Sequence, residues 1–180
     1  MFGVGPATAR VMFIGEAPSK YEDEEGVPFV GPAGAIFNKA LARAKLDRDE
    51  AYVTNVEKFK HSKKAGRNQP PKQSEINACR PWLLKEIAIV QPEIICCLGA
   101  LAAKWVLGRD FKLMKQRGKW LSSEFAPSVL ATIHPAVVLN RPDEERRAEA
   151  EKMLVADMRK VARRYRSLDA GRGRASERAA

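Results

Sequence analysis

Four side chains in this sequence have the types and the placing to do chemistry at one site: Glu16, Phe29, Asn55 and His134. Glu16 is a carboxylate two residues past an apolar run, Val11-Met12-Phe13-Ile14, at the end of a buried strand. Asn55 closes the run Ala51-Tyr52-Val53-Thr54 and carries both an amide donor and a carbonyl acceptor. His134 follows the apolar run Val129 to Ile133, and Pro135 fixes a tight turn that presents it outward. Phe29, in Pro28-Phe29-Val30-Gly31, could stack on a base. Each also has a plainer reading: Glu16 as a backbone cap, Asn55 as a turn residue, Phe29 as core, His134 as a structural strand-end histidine.

The elements that must carry these residues are legible in the hydrophobic pattern. The runs at 11–14, 51–54, 94–98 and 129–133 read as buried strands, each broken by Gly, Asn or His-Pro. Between them lie helical patterns. One opens at Pro32-Ala33-Gly34 and places Ile36, Phe37, Ala40, Leu41 and Ala44 on one face. Others span 75–90, 100–107 and 143–166, while 20–31 and 60–72 read as loops. Alternating strands and helices imply an α/β three-layer sandwich with a central, mostly parallel, four-stranded sheet flanked by helices. Ligands of such sheets bind outside the carboxyl ends of the strands, where Glu16, Asn55 and His134 all fall. One domain, residues 1–166, is expected, followed by a basic, apolar-poor and disordered tail at 167–180.

Composition narrows the partner. The 180 residues carry 32 Lys plus Arg against 22 Asp plus Glu, a net charge of +10, which favours a polyanion. Lys58, Lys60, Lys63, Lys64, Arg67 and Lys72 cluster around the second loop as candidate phosphate contacts, with salt-dependent affinity and no sequence preference. His61, in the same stretch, reads as solvated or phosphate-touching. Three cysteines, Cys79, Cys96 and Cys97, cannot form a paired framework and point to a reducing, cytoplasmic setting. No run approaches membrane-spanning length and no secretory signal is visible. There is no G-x-G-x-x-G after the first strand and no P-loop lysine, which disfavours a Rossmann-like nucleotide binder.

In order along the chain stand Gly15-Glu16-Ala17-Pro18, Glu22-Asp23, Pro28-Phe29-Val30-Gly31-Pro32-Ala33-Gly34, Val53-Thr54-Asn55-Val56 and His134-Pro135. This set, from about Ala9 to Arg147, resembles the uracil-DNA glycosylase superfamily in its family-4-like branch, as does Cys79-Arg80-Pro81-Trp82-Leu83 ahead of the third strand. The resemblance implies a base-excision-repair enzyme that extrudes uracil from DNA and hydrolyses its N-glycosidic bond, leaving an abasic site and free uracil. On that resemblance Phe29 stacks on the base and Asn55 reads its O4 and N3–H edge. His134 and the backbone N–H groups of the Gly15–Ala17 loop stabilise the uracil anion, and Glu16 favours the sugar cation and orients water. Glu22 matches the position that blocks the 5-methyl of thymine. Leu139 would fill the gap left by the extruded base and Arg141 would hold phosphate.

The sequence also departs from that pattern. The family-4 branch holds an iron–sulfur cluster on four cysteines; Cys79 matches the third position and Cys96 or Cys97 lies near the fourth, but no counterpart of the upstream pair precedes Val11. The expectation is therefore a metal-independent enzyme with no cluster. Ser19 replaces a usual glycine, and Ala17 occupies the slot where other branches carry aspartate. The stretch Gly66-Arg67-Asn68-Gln69-Pro70-Pro71 lacks the histidine of the cross-linking branch, so ordinary turnover is expected. No lysine within these motifs is placed for lyase chemistry. Two alternatives stay open: a glycosylase of wider range, acting on hypoxanthine or xanthine, and a non-catalytic module that binds uracil-containing or abasic DNA. A monomer is expected.

Overall fold

The computed structural model describes residues 1–60 and 72–179, with side chains through residue 168. The elements run β1 (Val11–Gly15), α1 (Lys20–Glu25), α2 (Pro32–Ala44), β2 (Ala51–Asn55), α3 (Gln73–Val90), β3 (Ile94–Leu98), α4 (Ala100–Leu107), α5 (Leu113–Gln116), β4 (Trp120–Ser123), β5 (Ala126–Thr132), α6 (Ala136–Leu139) and α7 (Glu144–Ala179). The strands form one sheet in the order β2-β1-β3-β5-β4, parallel except for β4.

The central strands of the sheet are buried on both faces because β1 and β3 are apolar at nearly every position, not at alternate ones. Val11 and Phe13 of β1, and Ile94, Cys96 and Leu98 of β3, pack toward Phe37, Leu41, Leu154 and Met158 of α2 and α7. Met12 and Ile14, with Ile95 and Cys97, pack toward Leu83 and Ile87 of α3 and Ala102, Ala103 and Val106 of α4. Each fully buried Leu, Ile, Val or Phe contributes roughly 1.5–3 kcal/mol relative to exposure, so the strands are the most firmly fixed part of the molecule.

The α/β sandwich agrees with the sequence reading, but the sheet has five strands and not four. The additional strand, β4, is a short edge strand that pairs with β5 across a tight hairpin, with a register shift between Leu121 and Ser123. Only Trp120 and Leu121 of its four residues are apolar, and none is fully buried, so no hydrophobic run announces it. Within the 20–31 segment read as loop lies α1. Ser19 caps it: its hydroxyl accepts from the Glu22 N–H while the Glu22 carboxylate accepts from the Ser19 N–H. The backbone of α7 continues through Ala179, past the point where the sequence reading places the start of a disordered tail. Ala, Arg and Glu, all strong helix formers, recur over that stretch.

The sheet reverses its winding between β1 and β3, since β1 leads outward to β2 while β3 leads the other way to β5. In open α/β sheets the crevice at such a switch point, beyond the carboxyl ends of the strands, is where ligands sit.

Candidate active site

At that crevice the chain approaches itself closely around Gly15. A Cβ at Gly15 would lie 2.2 Å from Asn55 Oδ1 and 2.7 Å from Phe29 Cζ, so glycine is what lets the end of β1 pass between the Asn55 amide and the Phe29 ring. The Phe29 and His134 rings stand 5.7 Å apart, tilted by 32°. Gly99, at the end of β3, has φ +102°, and a Cβ there would sit 3.2 Å from the His134 Cβ. Asn55 and Phe29, distant in sequence, thus meet beside Gly15, and His134 stands next to the Phe29 ring.

Asn55 is 3 % exposed, and among the described residues neither its Oδ1 nor its Nδ2 has a hydrogen-bond partner. A buried amide in that state typically costs about 1–3 kcal/mol per unsatisfied group. Such an arrangement is what a site built to read the edge of a ligand shows when its reading group is kept clear of internal partners.

His134 is half-buried, and its Nδ1 accepts from the Ala136 N–H at 3.2 Å. That bond leaves the proton on Nε2. Desolvation lowers its pKa from the ordinary 6.5 to about 4, so at neutral pH the ring is an uncharged Nε2–H donor. Its strand is tied down just below: the Thr132 hydroxyl donates to Asp157 of α7 at 2.8 Å, and Arg117 pairs with the same carboxylate oxygen at 2.5 Å.

Phe29 is fully buried and adopts φ +57°, a left-handed conformation unusual for an aromatic residue. Its peptide is held at both ends. Its N–H donates to Glu22 Oε1 at 2.6 Å, and its carbonyl accepts from Arg48 at 3.3 Å, with Pro28 O accepting from the same guanidinium at 2.6 Å. Burial lowers the Arg48 pKa, opposed by Asp49 and Glu22. Gly34 completes the seat, because a Cβ there would meet the Phe29 carbonyl oxygen at 1.9 Å.

Glu22, expected beside the base, is buried, and both its carboxylate oxygens are occupied by the Ser19 and Phe29 N–H groups. Ala17 is half-buried, directly after Glu16. Glu16 lines a cavity of about 730 Å³ between α3 and α4, together with Arg80, Lys104, Trp105 and Arg109, and its carbonyl accepts from the Glu57 N–H at 3.0 Å. It therefore adjoins the Phe29–Asn55–His134 group without being enclosed in it.

The DNA-contact residues divide. Lys58 does not reach solvent: it is 8 % exposed and pairs with Glu86 at 2.5 Å, which corrects its expected place among the surface cations. Lys60 is half-buried and Lys72 is exposed. Lys63, Lys64 and Arg67, with His61, lie outside the described residues. Leu139, at the end of α6, is 40 % exposed, an unusual state for leucine, and the half-buried Arg141 follows two residues on.

The cysteines do not gather into a metal site. Cys96 and Cys97 point to opposite faces of β3, into separate core clusters. Both are fully buried, and desolvation pushes both thiols well up. Cys79 accepts the Lys58 N–H at 3.3 Å. Among the described residues no three His, Cys, Asp or Glu side chains are placed to hold a metal. At most Cys79 and Cys97 share a side of the sheet, so this chain's own cysteines do not fit a four-thiolate cluster.

The family model of the uracil DNA glycosylase superfamily matches residues 2–159. The chain belongs to this superfamily. Its relatives include the type-4 uracil-DNA glycosylase of Sulfurisphaera tokodaii, 35% identical over 171 residues, covering 91% of this chain and 76% of the relative. The type-4 uracil-DNA glycosylase of Archaeoglobus fulgidus is 32% identical over 163 residues, with 87% and 80% covered. That of Pyrobaculum aerophilum is 37% identical over 147 residues, with 78% and 73% covered. The superfamily match spans every element from β1 to the first half of α7, and so takes in all the residues gathered at the crevice.

Sequence reasoning missed Arg48, Thr54 and Glu86 as parts of this site. The capping box Ser19-x-x-Glu22 is a helix-start signal in the sequence that the loop reading of 20–31 passed over. Arg48 and Glu86 carry no local signal, because their partners are 19 and 32 residues away along the chain.

Proposed function

We propose that this protein is a DNA-repair glycosylase that hydrolyses the N-glycosidic bond of uracil extruded from DNA, releasing uracil and leaving an abasic site. The observation that carries the reading is the buried, internally unpartnered Asn55 amide beside Phe29 and the neutral His134 ring. An amide offers one donor to uracil O4 and one acceptor to N3–H. Cytosine presents the reverse pattern at both atoms, and a wrong base would leave the buried amide unpaired.

Bond cleavage moves negative charge onto the uracil ring and positive charge onto the sugar. His134, with its proton on Nε2, donates to uracil O2 as that charge grows, assisted by the N–H groups of the Gly15–Ala17 turn. A preorganised donor of this kind is worth about 2.7–4 kcal/mol, or roughly 10²–10³ in rate. Glu16 supports the sugar cation and orients the attacking water. Phe29 packs on the face of the base. Glu22, fixed next to Phe29, disfavours the 5-methyl of thymine. Leu139 fills the stack behind the departed base, and Lys60, Lys63, Lys64, Lys72, Arg67 and Arg141 meet phosphate. The enzyme acts as a monomer in the cytoplasm, where its DNA substrate lies, and no step of the reaction is routed through a metal. No described helix is long and apolar enough to cross a membrane.

The test is release of free base from oligonucleotides carrying uracil, thymine, hypoxanthine or xanthine at one position. Release of uracil with little from the others is expected. Equal release of hypoxanthine would support the wider-range reading, and binding without release would support the non-catalytic one.

A further inference from the structure

Resting on that reading, we propose that Lys58 is a positioning residue: its buried ammonium, paired with Glu86 of α3, grips the Asn55 carbonyl and so holds the ends of β2 and β1 in the arrangement that presents Asn55 and Glu16. The Asn55 side chain makes no hydrogen bond among the described residues, so its amide is aimed by the position of its backbone and by packing against Gly15 rather than by a polar partner. That backbone is held on one side by the β1 ladder and on the other by Lys58, whose Nζ donates to Asn55 O at 2.8 Å.

All three ammonium protons have acceptors. Besides Asn55 O they are Thr54 Oγ1 at 2.7 Å and Glu86 Oε2 at 2.5 Å. The Thr54 hydroxyl donates its own proton to Glu86 at 2.8 Å, and the other Glu86 oxygen accepts the Gly3 N–H at 2.7 Å. The hold extends to β1. The peptide whose carbonyl Lys58 grips turns its N–H, that of Val56, to Gly15 O at 3.0 Å, and the next N–H, Glu57, donates to Glu16 O at 3.0 Å. Lys58's own N–H donates to Cys79 Sγ, a second tie to α3. A displaced Lys58 therefore moves Asn55, Gly15 and Glu16 together.

Stability alone does not account for such a pair. A buried ion pair seldom outperforms an apolar pair of the same volume, because both ions lose their hydration. What it supplies is direction: three fixed bonds from one charge. Burial lowers the Lys58 pKa and Glu86 raises it again, so the ammonium form depends on its partner.

The test compares wild type, Lys58→Met and the double variant Lys58→Met with Glu86→Gln. The single variant leaves a carboxylate buried without its cation and is expected to unfold readily. The double variant removes both charges, and the amide introduced in place of the carboxylate can still accept from the Gly3 N–H and meet the Thr54 hydroxyl. Thermal unfolding, affinity for uracil-containing DNA as a function of salt, and single-turnover uracil release are measured on each. The expected result is a folded double variant with unchanged DNA affinity and salt slope, releasing uracil about tenfold or more slowly. Release at the wild-type rate would overturn the positioning role. A salt slope reduced by about one with an unchanged saturated rate would overturn it too, since that marks a phosphate contact. A wild-type protein that releases no uracil would overturn the glycosylase reading itself, which separates the two failures.

Discussion

Two walls of the crevice are each secured by one buried glutamate, and the two work by different chemistry. On the Phe29 side, Glu22 accepts directly from two backbone N–H groups, Ser19 and Phe29. On the Asn55 side, Glu86 acts through a cation, and it is Lys58 that touches the backbone. The difference follows from what each wall exposes. The Phe29 side offers two N–H donors, Ser19 at the start of α1 and Phe29 in the loop beyond it, which a carboxylate satisfies by itself. The end of β2 instead offers a carbonyl, an acceptor that only a donor can hold, so a lysine is needed and the glutamate becomes its counter-ion. Each fixed charge is matched to the backbone group that the adjoining element leaves over.

Breaking the Asn55 wall should cost most. Lys58→Met leaves Glu86 buried and unpaired, and a loss of about 3–5 kcal/mol is expected in urea unfolding. Glu22→Ala strips the acceptor from two N–H groups and one of the two carboxylates facing Arg48, and a smaller loss of about 2 kcal/mol is expected by the same measurement, near the lower limit for two such groups because the Ser19 N–H is only part-buried and can be hydrated. Equal losses would show that the two walls do not differ in kind. Gly34→Ala sharpens the contrast from the Phe29 side alone. Its Cβ would press on the Phe29 carbonyl at 1.9 Å, so the loop must shift at a cost of about 1–3 kcal/mol. Uracil release should slow while the Lys58–Glu86 region keeps its amide exchange protection.

A separate, pH-dependent effect concerns His134. Its folded pKa, about 4, lies below the ordinary 6.5, so the unfolded chain binds more protons between those values. The stability that His134 contributes is complete above pH 6.5 and is lost as pH falls toward 4. The unfolding temperature should therefore decline over that window, and His134→Gln should flatten part of the decline.

Much of this was readable in the sequence, and the boundary has a physical cause. Continuous apolar runs marked β1, β2, β3 and β5, because strands covered on both faces have few polar positions to blur them. Their carboxyl ends then located Glu16, Asn55 and His134 without coordinates. The edge strand β4 escaped because half its residues are polar and none is fully buried. Lys58 was misjudged for a related reason. A lysine next to a lysine-rich loop reads as surface by composition, and only the approach of Glu86 from α3, 28 residues further on, takes it inside. The chain's local chemistry announces which groups end a strand; it does not announce which distant charge will meet them.

The central claim is that Phe29, Asn55 and His134 enclose one extruded uracil. Single-turnover uracil release by Phe29→Ala, Asn55→Ala and His134→Ala, each with its affinity for the same DNA, tests it most directly. The account predicts that the Asn55 and His134 variants bind DNA as wild type does and release uracil roughly 10²–10³ more slowly, with a smaller loss for Phe29. Release at the wild-type rate by the Asn55 and His134 variants would contradict it.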